Sequence, residues 1–248
     1  MNIARALKRF TDKQPRYVGG IYLPRRRFNE GLGGNSEYIE SAEALVDSLA
    51  SYCDVDATLR VLDFGCGQGR LAQGLLLKAA DVGEYCGIDT DKWSIDWCEK
   101  WVKGDRTNFV FRHVPAHNAR YNRAAQARPP LPVPAGHFNV AFLNSVFSHM
   151  LGDDVRFYLD ELHDKLQPGG IIYLTAFIET GVPHVEENPA GYLGKYSLGA
   201  LHRVRYEKGF FFSLVENAGF EIVDFRHRGI ERTGQSVVVA RKTARASA

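Results

Sequence analysis

Val61-Leu62-Asp63-Phe64-Gly65-Cys66-Gly67-Gln68-Gly69-Arg70 reads as a buried strand that breaks into a glycine loop and then opens a helix, and the rest of the chain is placed around it. Val61, Leu62 and Phe64 are strand formers. Gly65, Gly67 and Gly69 permit positive φ and let a ligand lie against bare backbone. Leu71 and Leu75 on one face, with Ala72, Leu76 and Ala79 on the next, predict a helix over 68–79 whose first N–H groups face an anionic ligand group. A second short strand over 85–88 ends at Asp89, about 20 residues past the loop, where a βαβ unit brings an acid to ribose hydroxyls. These features define a nucleotide-binding α/β unit and leave two ligands in competition. A dinucleotide, as in a dehydrogenase, calls for a third glycine where Arg70 stands.

The other reading is carried by Asp63-x-Gly65-x-Gly67-x-Gly69, which resembles motif I of class I S-adenosylmethionine-dependent methyltransferases. Phe138 to Ser145 resembles the fourth strand of that family, and Leu166-Gln167-Pro168-Gly169-Gly170 its turn into the fifth, over roughly 59–241 of the chain. Ser145-Val146-Phe147-Ser148-His149-Met150 and Asn118-x-x-Tyr121-Asn122 narrow the resemblance to a bacterial subgroup associated with methylation of sugars, glycolipids and small metabolites. The resemblance implies a Rossmann-like, doubly wound α/β fold with a mostly parallel seven-stranded sheet in the order 3-2-1-4-5-7-6. It also implies S-adenosyl-L-methionine as cofactor, S-adenosyl-L-homocysteine as product and no required divalent metal.

Carried onto this sequence, the family's motifs place the methionine part of the cofactor over Gly65, Cys66 and Gly67, with Asp63 on its ammonium side and Arg70 at the helix start. Asp89 accepts the ribose hydroxyls, with Thr90 beside it, and Asn144 and Ser145 close the site at the end of strand four. The family's adenine-binding acid is absent, since Pro115 stands in its place. Adenine recognition then falls to backbone near Ala116 and His117, or to the Asn118 amide, which could equally cap its own loop. His149 follows strand four at the topological switch point, where the reacting methyl is expected. It is the candidate general base for an alcohol acceptor, or else a loop-holding histidine.

With 248 residues, 45% of them hydrophobic, the chain can bury one full core. Residues 1–58 read as an N-terminal extension with one helix, part of the site's cover, and 59–248 as the catalytic domain. Tyr17, Tyr22, Arg25 and Tyr38 could serve as that cover or as packing. A net charge of +2 gives no ground for a nucleic-acid partner. Cys53, Cys66, Cys86 and Cys98 lack Cys-x-x-Cys spacing and read as reduced thiols in the core. The basic N-terminus lacks a signal peptide's apolar run and no stretch is long enough to span a bilayer, so a cytoplasmic location is expected. The proline-rich stretch 129–134 reads as a stiff surface connection.

Residues 179–207 form a lid with Glu179, His184, Tyr192 and Tyr196 as contacts for a small-molecule or saccharide acceptor. The lid and the first helix also offer surfaces for a homodimer. Asp153, Asp154, Glu186 and Glu187 could meet an ion, but no ligand spacing demands one. Paired acids at a helix start usually act as caps. The function expected is O-methylation of a sugar, glycolipid or small hydroxylated metabolite. N-methylation of a small amine or protein side chain, and a regulatory protein that binds the cofactor without turnover, stay open beside it.

Overall fold

A computed structural model describes residues 16–23, 34–120, 122, 125, 128–194, 197 and 199–244. A two-stranded ribbon, β1 (Arg16–Val18) and β2 (Ile21–Leu23), precedes helix α1 (Asn35–Ala50). Strand β3 (Arg60–Phe64) then leads through the glycine loop into α2 (Arg70–Leu77), β4 (Glu84–Asp89) and α3 (Lys92–Cys98), which continues as a π-helical turn over Glu99–Lys103. Next come β5 (Phe109–His113), β6 (Phe138–Leu143), α4 (Gly152–Lys165) and β7 (Leu166–Glu179). The chain closes with β8 (Val185–Glu187), β9 (Val204–Glu207), α5 (Lys208–Asn217), β10 (Phe220–Ile230) and β11 (Gln235–Lys242).

The fold is a mixed α/β one around a central, mostly parallel sheet, and the strand count differs from the sequence expectation. The sheet has nine strands rather than seven. Its main path runs β10-β11-β7-β6-β3-β4-β5, and β8 and β9 lie off that path. The extra pair comes from the segment read as a lid: β9 pairs in parallel with the far end of β7 over Phe177, Ile178 and Glu179, and β8 pairs antiparallel with β9. Backbone donors beyond the reach of β6 are thereby satisfied, which a loop lying on the surface would not achieve.

Alternation along the strands divides the core in two. Leu62, Ile88, Ala141, Leu143, Ile172 and Leu174 face α4 and α5. Val61, Tyr85, Phe109, Val140, Phe142 and Tyr173 face α1, α2 and α3. A fully buried leucine or phenylalanine contributes roughly 1.5–3 kcal/mol, so helices on both faces fix the register against a one-residue slip.

Several boundaries depart from the sequence reading. Helix α1 starts after Gly34 with no side-chain cap. Helix α4 ends at Lys165, and Pro168-Gly169-Gly170, read as a turn into the next strand, lies inside β7 at a break in the β6 register. The proline-rich stretch keeps Pro130, Pro132 and Pro134 exposed at the surface but is anchored in the core: Leu131 and Val133 are buried, and Leu131 N–H donates to Glu161 Oε2 at 2.7 Å. Lys242 is the last residue of β11, and its ammonium donates to the carbonyls of His163 (2.6 Å) and Leu166 (2.7 Å) at the end of α4.

The N-terminal ribbon is tied to the helix that follows the glycine loop. Gln73 on α2 is buried, accepts from Tyr38 Oη at 2.5 Å and donates to the Tyr22 carbonyl at 2.6 Å. Helices α1 and α2 cross so closely that a Cβ on Gly74 would stand 2.2 Å from the Ala42 carbonyl oxygen. Gly74→Ala must push α1 off α2, at a cost of about 1–3 kcal/mol. Urea unfolding of the variant should show that loss at unchanged slope, and wild-type stability would mean the crossing yields freely.

Candidate functional site

The site lies beyond the carboxyl ends of β3, β4 and β6, where strand order reverses between β4 and β6 around β3. Gly65 and Gly67 have φ of 81° and 54°, values that side chains rarely tolerate. Their surroundings differ. A Cβ on Gly65 would meet Val146 Cγ2 at 2.4 Å, whereas one on Gly67 would meet nothing within 4 Å. The open approach to bare backbone is therefore at Gly67.

Asp89, at the tip of β4, holds that loop in place. Its Oδ2 accepts from Gly67 N–H at 2.8 Å and its Oδ1 from Asp91 N–H at 2.7 Å. Each oxygen keeps a second lone pair for a hydroxyl donor. Burial raises the Asp89 carboxyl to about 6, against the pull of those two N–H groups. Gln68, between the last two glycines, is buried with its Nε2 unpartnered by protein. An open glycine backbone, an acid at the neighbouring strand tip and an orphaned buried amide fit an adenosyl nucleoside with an amino-acid tail.

Asp63 does not face open space. It is buried, accepts from Tyr85 Oη at 2.5 Å, and is raised by desolvation to about 7. Cys66 is buried beneath the loop, with its thiol and that of Cys98 both directed at the Gly67 carbonyl. Burial pushes both thiols upward, and all four cysteines are free. Arg70 is buried at the start of α2, its Nη1 3.5 Å from Ser41 Oγ. On the adenine side, Thr90 Oγ1 donates to the Ala116 carbonyl at 3.0 Å, which joins the loops after β4 and β5. His117 is exposed, its Nδ1 2.6 Å from the Ala125 carbonyl. The Asn118 amide is committed elsewhere, donating to the His149 carbonyl at 3.0 Å and accepting from Arg120 N–H at 2.9 Å.

At the end of β6, Asn144 is half-buried and Ser145 adopts φ 61°, in the left-handed region. A closed ring of hydrogen bonds holds it there. Ser145 N–H donates to Thr175 Oγ1 (2.8 Å), Thr175 Oγ1 donates to Gln235 Oε1 (2.7 Å), and Gln235 Nε2 donates to Ser145 Oγ (2.8 Å). Thr175 and Gln235 were not among the sequence candidates. The available signal was a polar residue inside the apolar run of β7 and another at the start of β11, since buried polar groups must be paired.

His149 ends a 3₁₀ turn over Phe147–His149, and its Nδ1 lies 2.9 Å from the Leu201 carbonyl. A carbonyl only accepts, so Nδ1 carries the proton and Nε2 is the basic nitrogen. Burial lowers the imidazole to about 4. The lid candidates separate from it. Glu179 accepts from Tyr192 Oη (2.7 Å), Arg228 Nη2 (2.8 Å) and His227 Nε2 (2.8 Å), and this ion-pair network holds it below the usual carboxylate range. Tyr192 is buried under the Arg205 guanidinium. His184 is exposed and stacks on Phe210, ring centroids 4.9 Å apart. Tyr196 lies outside the described residues. Asp153 pairs with Arg156 and Asp154 with Arg128, while Glu186 pairs with Arg205 and Glu187 accepts from Leu201 N–H. Among the described residues no group of three His, Cys, Asp or Glu is placed to hold a metal ion.

A doubly wound sheet with a glycine loop under an acid at the next strand tip defines a nucleotide-binding class of site. A family profile described as a methyltransferase domain matches residues 24–224, and the chain belongs to that family. It is 25% identical over 170 residues to a chicken (Gallus gallus) tRNA N(3)-cytidine methyltransferase, METTL2, and the match covers 67% of this chain but 38% of that protein. The [4+2]-cyclase SpnF shares the fold with TM-score 0.57 and 18% identity, over 83% of this chain and 82% of SpnF. A SAM-dependent methyltransferase from Methanosarcina mazei superposes with TM-score 0.56 and 19% identity, over 79% of this chain and 97% of its own. No helix of the described residues is long and apolar enough to cross a membrane.

Two expectations follow. Because the folded Asp89 is raised, its contribution to stability is present below its unfolded value and lost as pH rises through about 6. Hydroxyl donors favour the ionised form, so S-adenosylhomocysteine affinity should increase between about pH 5 and 7 with release of a proton, and Asp89→Asn should flatten the profile. Calorimetric titration in buffers of different ionisation enthalpy measures this, and a pH-independent affinity in the wild type would refute it. Thr175→Val should leave Ser145 N–H and Gln235 Oε1 unpaired in the interior, costing about 1–3 kcal/mol in a denaturant titration.

Proposed function

We propose that this protein transfers a methyl group from S-adenosylmethionine to a hydroxyl of a small acceptor, such as a sugar or another hydroxylated metabolite. When bound, the cofactor supplies a methyl on positively charged sulfur, already activated for in-line displacement. The chain's task is to bind, orient and exclude water. Gly67 offers bare backbone, the start of α2 favours a carboxylate, and Asp89 accepts hydroxyl donors while fixing the loop.

The observation that carries the reading is His149. It follows β6 at the switch point, it is neutral at physiological pH, and its proton is held on Nδ1 by the Leu201 carbonyl. An imidazole lowered to about 4 is too weak a base to ionise an alcohol beforehand. It takes the proton only as the new O–C bond forms and the hydroxyl becomes acidic. The Leu201 contact holds His149 under the segment that precedes β9, and a site closed over its acceptor would suit a base there.

A nitrogen acceptor is the second reading, and the name of the chicken relative favours it. This chain spans 38% of that protein's length. A ring nitrogen with an available lone pair needs no base.

His149→Ala separates these readings. With a hydroxyl acceptor, turnover should fall by about 10²–10⁴ while S-adenosylhomocysteine affinity is kept. With a ring-nitrogen acceptor, turnover should be nearly unchanged. Labelled S-adenosylmethionine incubated with fractionated small-molecule extract supplies the assay, and cofactor binding without label in any fraction would refute transfer itself.

A further inference from the structure

The ring formed by Ser145, Thr175 and Gln235 has one O–H more than it uses. Thr175 Oγ1 accepts from Ser145 N–H and donates to Gln235 Oε1, while Gln235 Nε2 donates to Ser145 Oγ. With the Gln235 amide turned the other way, Ser145 would donate to Oε1 and the Thr175 hydroxyl would have no acceptor in the ring. Thr175 is 1% exposed, and a hydroxyl so enclosed must be paired. The spare proton therefore belongs to Ser145, which is half-buried and the least enclosed of the three. Its Oγ is engaged as an acceptor and keeps its own O–H to donate. Among the described residues no acceptor takes it.

Strand order gives the direction of that side chain. The glycine loop and Asp89 follow β3 and β4, on one side of β6, whereas Thr175 on β7 and Gln235 on β11 lie on the other. Ser145 leaves the end of β6 with its hydroxyl bonded toward β7 and β11, away from the nucleotide half of the crevice. His149 belongs to the same half, since its Nδ1 donates to the Leu201 carbonyl just before β9, and β9 pairs with β7. The backbone of Ser145 is strained, at φ 61°, and is held there by buried partners. Strain that the surroundings over-determine in this way is a mark of a group placed for function.

We propose that Ser145 Oγ–H donates to an oxygen of the methyl acceptor, so that Ser145 contacts the acceptor rather than the cofactor and selects molecules that present an oxygen lone pair at this point. A donor fixed by a ring before the acceptor arrives has little freedom left to lose on binding. The assignment rests on the reading above that a hydroxylated small molecule is methylated.

The test compares wild type with Ser145→Gly and Ser145→Ala. Both variants lack the hydroxyl, but only glycine adopts a φ of 61° without strain. Labelled S-adenosylmethionine and a dilution series of the extract fraction that takes up label give the half-saturating amount of acceptor, and its ratio between proteins needs no identification of the acceptor. S-adenosylhomocysteine is titrated into the same three proteins. Both variants should need about tenfold more acceptor, with S-adenosylhomocysteine affinity unchanged, which also shows that they are folded. If the alanine variant does not bind S-adenosylhomocysteine, the glycine variant alone decides. Wild-type half-saturation in the glycine variant overturns the contact and leaves methyl transfer standing. A matching loss of S-adenosylhomocysteine affinity in the glycine variant also overturns it, by placing Ser145 on the cofactor. Label in no fraction with the wild type removes the transfer reading and this contact with it.

Discussion

Asp89 grips two backbone N–H groups at once, one from the glycine loop and one from its own turn, and the rest of the site depends on that grip. A loop with three glycines has many conformations to lose. Tying Gly67 to the tip of β4 selects one of them, and it is the one in which the Gly67 backbone stands open. Parallel pairing of β3 with β4 makes the grip available, since Phe64 lies opposite Ile88 and so brings the glycine loop alongside Asp89.

The grip is maintained at an electrostatic cost. Asp89 and Asp63 are both taken out of water close to one another, and both carboxyls are raised toward neutrality. Tyr85 eases the burden on Asp63 by donating to it from the neighbouring strand. A crevice that holds acids in this state gains when donors or a positive charge arrive, a familiar way for a binding site to be poised at the expense of the empty protein's stability. The ring of Ser145, Thr175 and Gln235 works similarly on the opposite wall, where three mutually satisfied polar groups hold one strained residue.

Much of this was legible in the order of residues. The β3 glycine loop, the acid at the end of β4 and the apolar strands of the core announce themselves by composition and period, because local propensity and burial agree there. The lid was legible only as a long stretch rich in glycine and polar groups. Its resolution into β8 and β9, paired to the end of β7, depends on donors that only the folded sheet presents. Glu179 and Tyr192 looked like acceptor contacts because they are polar and sit past a strand. They prove to be bonded to each other, and Glu179 also to Arg228 and His227, residues nearly fifty positions away from it. The proline-rich stretch was legible as surface at Pro130, Pro132 and Pro134, but proline content says nothing about whether Leu131 and Val133 find a core to enter.

By itself the sequence determined that a nucleotide-binding α/β unit forms and where its glycine loop and acid lie, because these are short-range facts of φ, period and spacing. Tertiary structure alone decided which of the loop's glycines lies open, that Asn118 is spent on His149 and Arg120, and that His149 is neutral with a fixed tautomer under Leu201. The physical reason is common to all three: each depends on a partner or a depth of burial set by chain segments distant in sequence, and neither pairing nor desolvation is a property of a residue on its own.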